Sequence, residues 1–337
     1  MKAMTLRKPG PIETNPLSLA EVPAPEPGPG EIRVRVSVCG VCRTDLHVAE
    51  GELTRTKLPI IPGHEIVGVV DKLGGGTSRF ALGQRVGIAW LNQTCGECEY
   101  CREGKENLCD NARFTGYLVD GGYAEYAVIS EDFAYAIPEG FPDLQAAPLL
   151  CAGVIGFRSL RLTGVGKGEW LGLYGFGASA HIVIQVARHW GCRVAVFGRP
   201  GSIEHQKLAR KLGADWVGAT GDRPPEPLHA SIIFAPVGSI IPEALKVTRK
   251  GGTVVSAGIY MSPIPEMSYD LLYHERVVRS AANSTRQDAV DLLSLAAEIP
   301  IRTEVHPFPL EQANEALQRI KAGTIAGAAV LVTGENK

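Results

Sequence analysis

Eight cysteines are spread unevenly along the 337-residue chain, and four fall within fifteen residues as Cys95-x2-Cys98-x2-Cys101-x7-Cys109. Thiols two residues apart converge on one ion, because a tight turn folds both sulfurs to the same side. In a reducing compartment so dense a cluster points to a metal rather than to disulfides. Four thiolates complete a tetrahedral zinc shell with no open position, which makes a structural site. An iron–sulfur cluster is the rival ligand, but the bacterial ferredoxin run ends x3-Cys-Pro, whereas the last gap here is seven residues.

A second set is scattered: Cys42-Arg43-Thr44-Asp45-Leu46-His47, then Gly63-His64-Glu65, then Cys151. Each piece alone suits a plain structural role, a loop histidine or a cysteine filling an apolar core. Together they offer two soft sulfurs, one imidazole and nearby carboxylates. Three protein ligands with one open position make the catalytic form of zinc, since the open position must admit water or substrate oxygen. Spacing alone leaves the two interpretations level. Cys39 and Cys192 lie in strand-like apolar segments and are expected to be core fillers.

These groups need a frame. Residues 31–38, Glu-Ile-Arg-Val-Arg-Val-Ser-Val, alternate polar and apolar with the period of a half-buried strand. Short apolar runs at 66–70 and 85–89 are bounded by glycines, and 21–30, with four prolines, is a rigid exposed connector. Short strands with frequent turns predict a barrel-like or sandwich-like β domain carrying both cysteine groups. From about residue 151 the texture changes to strands at 170–174, 193–197, 230–234 and 252–256, with helices at 182–190 and 204–212. Such alternation predicts βαβ units on a parallel sheet. A helix at 310–322 and a strand at 328–333 return to the first domain. The expected fold class is therefore α/β. A β-rich catalytic domain covers 1–150 and 281–337 with its metal lobe at 92–112, and a doubly wound Rossmann domain covers 151–280.

Between the strand at 170–174 and its helix runs Gly175-Phe176-Gly177-Ala178-Ser179-Ala180. This is the context that a dinucleotide-binding glycine motif requires. Gly175 permits the tight turn, and Gly177 lets backbone approach a pyrophosphate at the helix N-terminus. A plain strand–helix turn is the alternative. The next strand ends Phe197-Gly198-Arg199-Pro200, with no carboxylate for the adenine-ribose 2′-hydroxyl. Gly198 leaves room for a 2′-phosphate and Arg199 can pair with it, so NADP(H) is favoured over NAD(H).

The balance of 34 Lys+Arg against 36 Asp+Glu gives a net charge of -2, which speaks against nucleic acid or an anionic membrane as partner. No window approaches 18 uninterrupted apolar residues, so no membrane span is expected. The opening stretch Met1-Lys2-Ala3-Met4-Thr5-Leu6-Arg7-Lys8-Pro9-Gly10 has no apolar segment long enough for a signal peptide, so a cytoplasmic location is expected.

Taken in this order, the residues resemble the zinc-dependent alcohol dehydrogenases of the medium-chain dehydrogenase/reductase superfamily, over essentially the whole chain. Carrying the resemblance are Cys42-Arg43-Thr44-Asp45-x-His47, Gly63-His64-Glu65, the four-cysteine lobe, Cys151 and the glycine loop. Gly87-Ile88-Ala89-Trp90-Leu91-Asn92 is similar to yeast-type members, and Gly63-His64-Glu65-Ile66-Val67-Gly68 to the cinnamyl-type branch. The resemblance implies a GroES-like first domain and makes Cys42, His64 and Cys151 the catalytic zinc ligands. Glu65 becomes the carboxylate beside the metal, and Asp45 the partner that orients His64. Thr44 would hydrogen-bond the alcohol oxygen, with a proton path through Thr44 and the nicotinamide ribose to His47, which exchanges it with solvent. Arg43 would contact the pyrophosphate, and Leu53, Trp90 and Leu91 would line the substrate pocket. One departure is that many members carry a Gly-Arg near the C-terminus, whereas Gly327 is followed by Ala328 and Ala329. Pyrophosphate binding then falls to Arg43 and the helix start. His181, another departure, either sits near the pyrophosphate or is a helix-surface histidine.

The implied reaction is reversible hydride transfer between a primary or secondary alcohol and NAD(P), with two zinc ions per chain, one catalytic and one structural. A homo-tetramer or homo-dimer acting on a small molecule is expected. A polyol, sugar or amino-alcohol dehydrogenase on the same scaffold is the near alternative. A zinc-ribbon interaction protein would leave the second metal set and the glycine loop without a task, and a zinc-free quinone reductase would need none of these ligands.

Overall fold

The computed structural model describes residues 1–299 and 301–333. The chain divides into two compact units: Met1–Cys151 together with the residues from Asn283 on, and Ala152–Ala282.

The first unit is organised by the strand Glu31–Val41, whose neighbours are Glu65–Leu73, Ala328–Val332 and Tyr126–Ser130, all antiparallel. The sheet continues through Arg85–Ile88 to Ala134–Ala136 on one side and to Val305–Pro309 on the other. Ile32, Val34 and Val36 point into a core shared with Ile66, Val86, Ile88 and Ile129. Burial of each such side chain contributes about 1.5–3 kcal/mol. The strand is three residues longer than its alternating pattern predicts, because Cys39, Gly40 and Val41 are covered on both faces. Cys39 is indeed a fully buried filler. A helix at Arg286–Glu298, absent from the pattern-based expectation, is started by Thr285, whose hydroxyl accepts the Asp288 N–H while Asp288 returns a bond to the Thr285 N–H. The C-terminal helix Ala313–Ala322 follows a 3-10 turn at Leu310–Gln312.

The second unit is a six-stranded parallel sheet in the order Trp216–Ala219, Arg193–Gly198, Trp170–Tyr174, Leu228–Ile233, Thr248–Ser256, Val277–Ser280. Trp170–Tyr174 is buried at all positions, the signature of a central strand covered on both faces. The order reverses between Trp170–Tyr174 and Leu228–Ile233, the place where ligands of doubly wound sheets bind. The two outer strands, Trp216–Ala219 and Val277–Ser280, escape the apolar-run signal because they are short and mostly half-buried or exposed. Among the described residues no single helix is long and apolar enough to cross a membrane.

Candidate metal centres and cofactor loop

In the cysteine lobe the sulfurs of Cys95, Cys98, Cys101 and Cys109 all lie within 4.8 Å of one another. The Cys98–Cys101 and Cys109–Cys95 separations are 3.5 Å and Cys95–Cys101 is 3.9 Å. A tetrahedral zinc with Zn–S bonds of about 2.3 Å requires sulfur–sulfur edges of about 3.8 Å, so the donors fit that ion. The N–H groups of Glu97 and Cys98 hold the Cys95 thiol down at about 6, while Cys98 is pushed up to about 12 and burial pushes Cys109 up, so the four thiols share their protons unequally. The lobe is anchored by buried Glu106, whose carboxylate accepts the N–H and Nε–H of Arg286 at 2.9 and 3.3 Å.

The second group draws on three distant segments of the first unit. One donor atom each from Cys42, His64, Glu65 and Cys151 lie within 4.8 Å of one another. Cys42 Sγ is 3.3 Å from His64 Nε2 and 4.0 Å from Cys151 Sγ, again suited to a tetrahedral ion. Cys42 directly follows the central strand Glu31–Val41 and caps the helix Arg43–Glu50. Its sulfur accepts the Thr44 N–H, and Asp45 Oδ2 accepts the Cys42 N–H at 2.9 Å. The same carboxylate reaches the second segment: Asp45 Oδ1 lies 3.1 Å from His64 Nδ1 and accepts the Gly63 N–H at 3.2 Å. One aspartate thus caps a helix, fixes a loop and turns His64 Nε2 toward the sulfurs.

Charge inside this pocket is mutually arranged. The hydrogen bond from Cys151 draws the Cys42 thiol down against the opposing effect of burial, and correspondingly raises Cys151. Burial disfavours a charged His64, but Asp45 and Cys42 outweigh it and push the imidazole up. Burial, then the charge of Cys42, raises Glu65. A cation would relieve this crowding of anionic donors. Glu65 faces Gly40 across the sheet, and a Cβ on Gly40 would sit 2.0 Å from its carboxylate oxygen, so only glycine leaves the room. Tyr123 likewise fills the space a side chain on Gly63 would need, behind His64.

The pocket-wall residues separate. Half-buried Trp90 lies edge-on to His64 at 4.8 Å and stacks with Phe114 and Tyr117 at 5.0 and 5.8 Å. Leu91, expected in the wall, is 3 % exposed and belongs to the core, since its short strand turns it inward opposite Phe114. Leu53 packs half-buried against the same core. Arg43 is exposed, with Nη1 3.5 Å from the Ile320 carbonyl. His47 is buried, and its Nδ1 hydrogen-bonds Glu52. Gly40, Glu52, Phe114, Tyr117 and Tyr123 were not singled out from the sequence. Only Glu52, five residues after His47, offered a local signal.

In the second unit Gly175 has φ +84°, and a Cβ there would lie 3.1 Å from the Ala235 nitrogen. Gly177 is extended and open space surrounds its missing Cβ, a cradle free for a phosphate group. The helix begins directly at Ala178, earlier than its apolar run suggests, without a side-chain cap. Ala178, Ser179 and Ala180 therefore form its first turn, whose N–H groups suit a dinucleotide pyrophosphate. Phe176 is buried and can offer only its backbone. His181 is 0 % exposed, which overturns a surface position; its Nδ1 lies 3.3 Å from the Gly177 carbonyl, beneath the motif. Gly198 ends the second strand beside exposed Arg199, whose carbonyl accepts the Ser202 hydroxyl at 2.6 Å. Ala328 is buried in a strand, where it has no charge to offer a phosphate.

Two family models match the chain: an alcohol dehydrogenase GroES-like domain over residues 28–139 and a zinc-binding dehydrogenase over 180–298. A probable alcohol dehydrogenase of Mycobacterium tuberculosis is 47% identical over 98% of this chain and 97% of its own length. An alcohol dehydrogenase of Geobacillus stearothermophilus is 38% identical over 94% of this chain and 96% of its own length. Among solved structures, a Sorghum bicolor cinnamyl alcohol dehydrogenase superposes with a TM-score of 0.90 at 27% identity, covering 100% of this chain and 98% of that one. A cobalt- and zinc-bound thermostable alcohol dehydrogenase from Pyrobaculum aerophilum gives a TM-score of 0.90 at 25% identity, with 99% of both chains covered. Together with the two donor clusters and the glycine cradle, these matches make the chain a member of the zinc-type alcohol dehydrogenases of the medium-chain dehydrogenase/reductase superfamily.

Proposed function

We propose that the protein is a reversible zinc-dependent alcohol dehydrogenase for primary or secondary alcohols with apolar substituents, with two zinc ions per chain and NADP(H) preferred to NAD(H). It works as a cytoplasmic homo-dimer or homo-tetramer. The observation that carries this is the convergence of Cys42, His64, Glu65 and Cys151, with Asp45 behind the histidine. Zinc bound by these donors supplies a Lewis acid that brings ionisation of an alcohol toward neutral pH, and the nicotinamide supplies the hydride acceptor.

The chain's own residues do the rest. Cys42, His64 and Cys151 would hold the ion, with the Glu65 carboxylate beside it. Asp45 keeps the His64 ring in one tautomer, the usual support of a metal-binding imidazole. Thr44 and His47 stand three residues apart on the helix Arg43–Glu50 and so share a face. The Thr44 hydroxyl orients the alcohol and passes its proton on, and His47 receives it. Trp90, stacked on two further rings, offers apolar surface next to His64. Extra hydroxyls of a polyol would lose water there without gaining partners, at about 1–3 kcal/mol each. This favours simple or aromatic alcohols over polyols and sugars.

Arg199 beside Gly198 supports the NADP(H) preference. Arg199→Ala should raise KM for NADPH about tenfold or more, as expected for one charge-assisted contact, with little change for NADH. The decisive test assays purified enzyme against aliphatic alcohols, aromatic alcohols and polyols with both carriers, alongside zinc analysis. Apolar alcohols with NADP and two zincs per chain are the expected result. Preferential turnover of polyols, or a clear preference for NAD, would refute the corresponding part.

A further inference from the structure

Asp45 holds three parts of the interior site together, and its own hydrogen bonds leave room for one more. The residue is 1 % exposed, so water does not reach its carboxylate. A carboxylate offers about four lone-pair directions. Three are used: Oδ2 accepts the Cys42 N–H, while Oδ1 accepts the Gly63 N–H and faces His64 Nδ1. A charge buried this deeply calls for a donor in the remaining direction.

Tyr123 brings such a donor from behind the histidine. It is 0 % exposed, and its hydroxyl is buried with no hydrogen-bond partner among the described residues. Its segment is zipped onto residues 61–63: the N–H groups of Gly121, Gly122 and Tyr123 donate to the carbonyls of Ile61, Gly63 and Pro62 at 2.7, 3.0 and 2.9 Å. That register lays the ring against Gly63, where a Cβ would sit 2.3 Å from Tyr123 Cδ1. Gly63 is also the residue whose N–H Asp45 holds. Burial, then the Asp45 charge, raises the phenol well above its ordinary value, so it stays a neutral donor within reach of that carboxylate. The sulfurs nearby are engaged elsewhere. Cys39, which would touch the same Gly63 Cβ, gives its thiol to the Gly40 carbonyl at 3.5 Å, and the Cys42 sulfur takes the Thr44 N–H. Asp45 is left as the acceptor.

We infer that Tyr123 is a positioning residue of the interior metal site: its hydroxyl donates the fourth hydrogen bond to Asp45, shares that buried charge and holds the carboxylate aligned on His64 Nδ1. The inference rests on Cys42, His64 and Cys151 binding a metal ion. Through Asp45 the phenol sets how firmly His64 Nε2 is presented to the ion, although it touches neither ion nor substrate. No covalent bond forms or breaks, and no electron moves.

The test compares Tyr123→Phe, which removes only the hydroxyl, with Tyr123→Leu, which also empties space behind Gly63. Tyr123→Phe is repeated in an Asp45→Asn background. In cofactor-free protein that keeps zinc in the lobe, the interior site is titrated with cobalt(II) against a chelator. Its affinity should fall about tenfold in the Phe variant, the loss typical of removing an outer partner of a metal-binding histidine. The cobalt–thiolate absorption bands should shift with it, because the imidazole ligand is held differently. Tm before cobalt is added should be unchanged, since the hydroxyl has no other partner to lose. The Leu variant should lose both affinity and Tm. In the Asn background the Phe substitution should change little further, as Asp45 is the link through which the hydroxyl acts. Undiminished cobalt affinity in the Phe variant, a loss of Tm as large as in the Leu variant, or the same tenfold drop in the Asn background each overturns the role. A wild-type chain that binds cobalt nowhere but in the lobe instead refutes the interior metal site and the enzyme function built on it.

Discussion

The two four-donor groups use overlapping chemistry in opposite ways. The lobe gathers four identical sulfurs from one short stretch, through tight turns that need no sheet. The interior group joins Cys42 to His64 across 22 residues and to Cys151 across 109, and only the sheet of the first unit makes them neighbours. Its fourth donor is a carboxylate, buried and pushed toward its neutral form. Four equal thiolates make a shell with nothing to give up, suited to holding a shape. Three ligands and one reluctant carboxylate make a shell with a replaceable member, suited to chemistry.

Removing one ligand from each group should separate these roles. His64→Ala is expected to lower kcat/KM by about a thousandfold or more, to leave one zinc per chain, and to move Tm by only a few degrees. Steady-state kinetics, metal analysis and a thermal melt check all three. Cys98→Ser should also cost one zinc, but its main effect should fall on stability, with Tm lower by about 10 °C or more and turnover per folded molecule largely kept. If Cys98→Ser abolished turnover at an unchanged Tm, the division between shape and chemistry would be lost.

The same contrast explains what could be read before folding. The lobe is legible because its geometry is local: four sulfurs at short spacing admit few arrangements. The parallel sheet and the glycine loop are legible for a similar reason, through the apolar strand at 170–174 and the turn at Gly175 directly after it. The interior site is not, since Gly-His-Glu and a lone Cys151 each suit an ordinary core, and only the resemblance selected them. Gly40 carries no signal at all, because its smallness answers to Glu65 across the strand pair. Leu91 is a related case. Its neighbour Trp90 faces His64, and which of two adjacent residues turns inward depends on the pairing with Phe114. The burial of His47 and its partner Glu52 likewise depend on a turn whose direction Gly51 sets.

A histidine in the other unit sharpens the comparison at its finest scale. His64 is pushed up by Asp45 and Cys42 in spite of burial. His229 is pushed down, first by burial and then by the Arg249 guanidinium, with Glu169 opposing only partly. Its Nδ1 also accepts the Trp170 N–H at 3.2 Å, a bond that protonation at that atom would break. A histidine depressed on folding is protonated first in the unfolded chain. Its contribution to stability is therefore complete above the unfolded value of about 6.5 and is lost as pH falls below it. His229→Asn keeps an acceptor for Trp170 and removes the titration, so the slope of Tm against pH between about 7 and 5 should flatten by roughly 1–2 °C. An unchanged slope would mean that the Trp170 bond and the Arg249 charge do not govern this ring, and that its resemblance to His64 in reverse is only apparent.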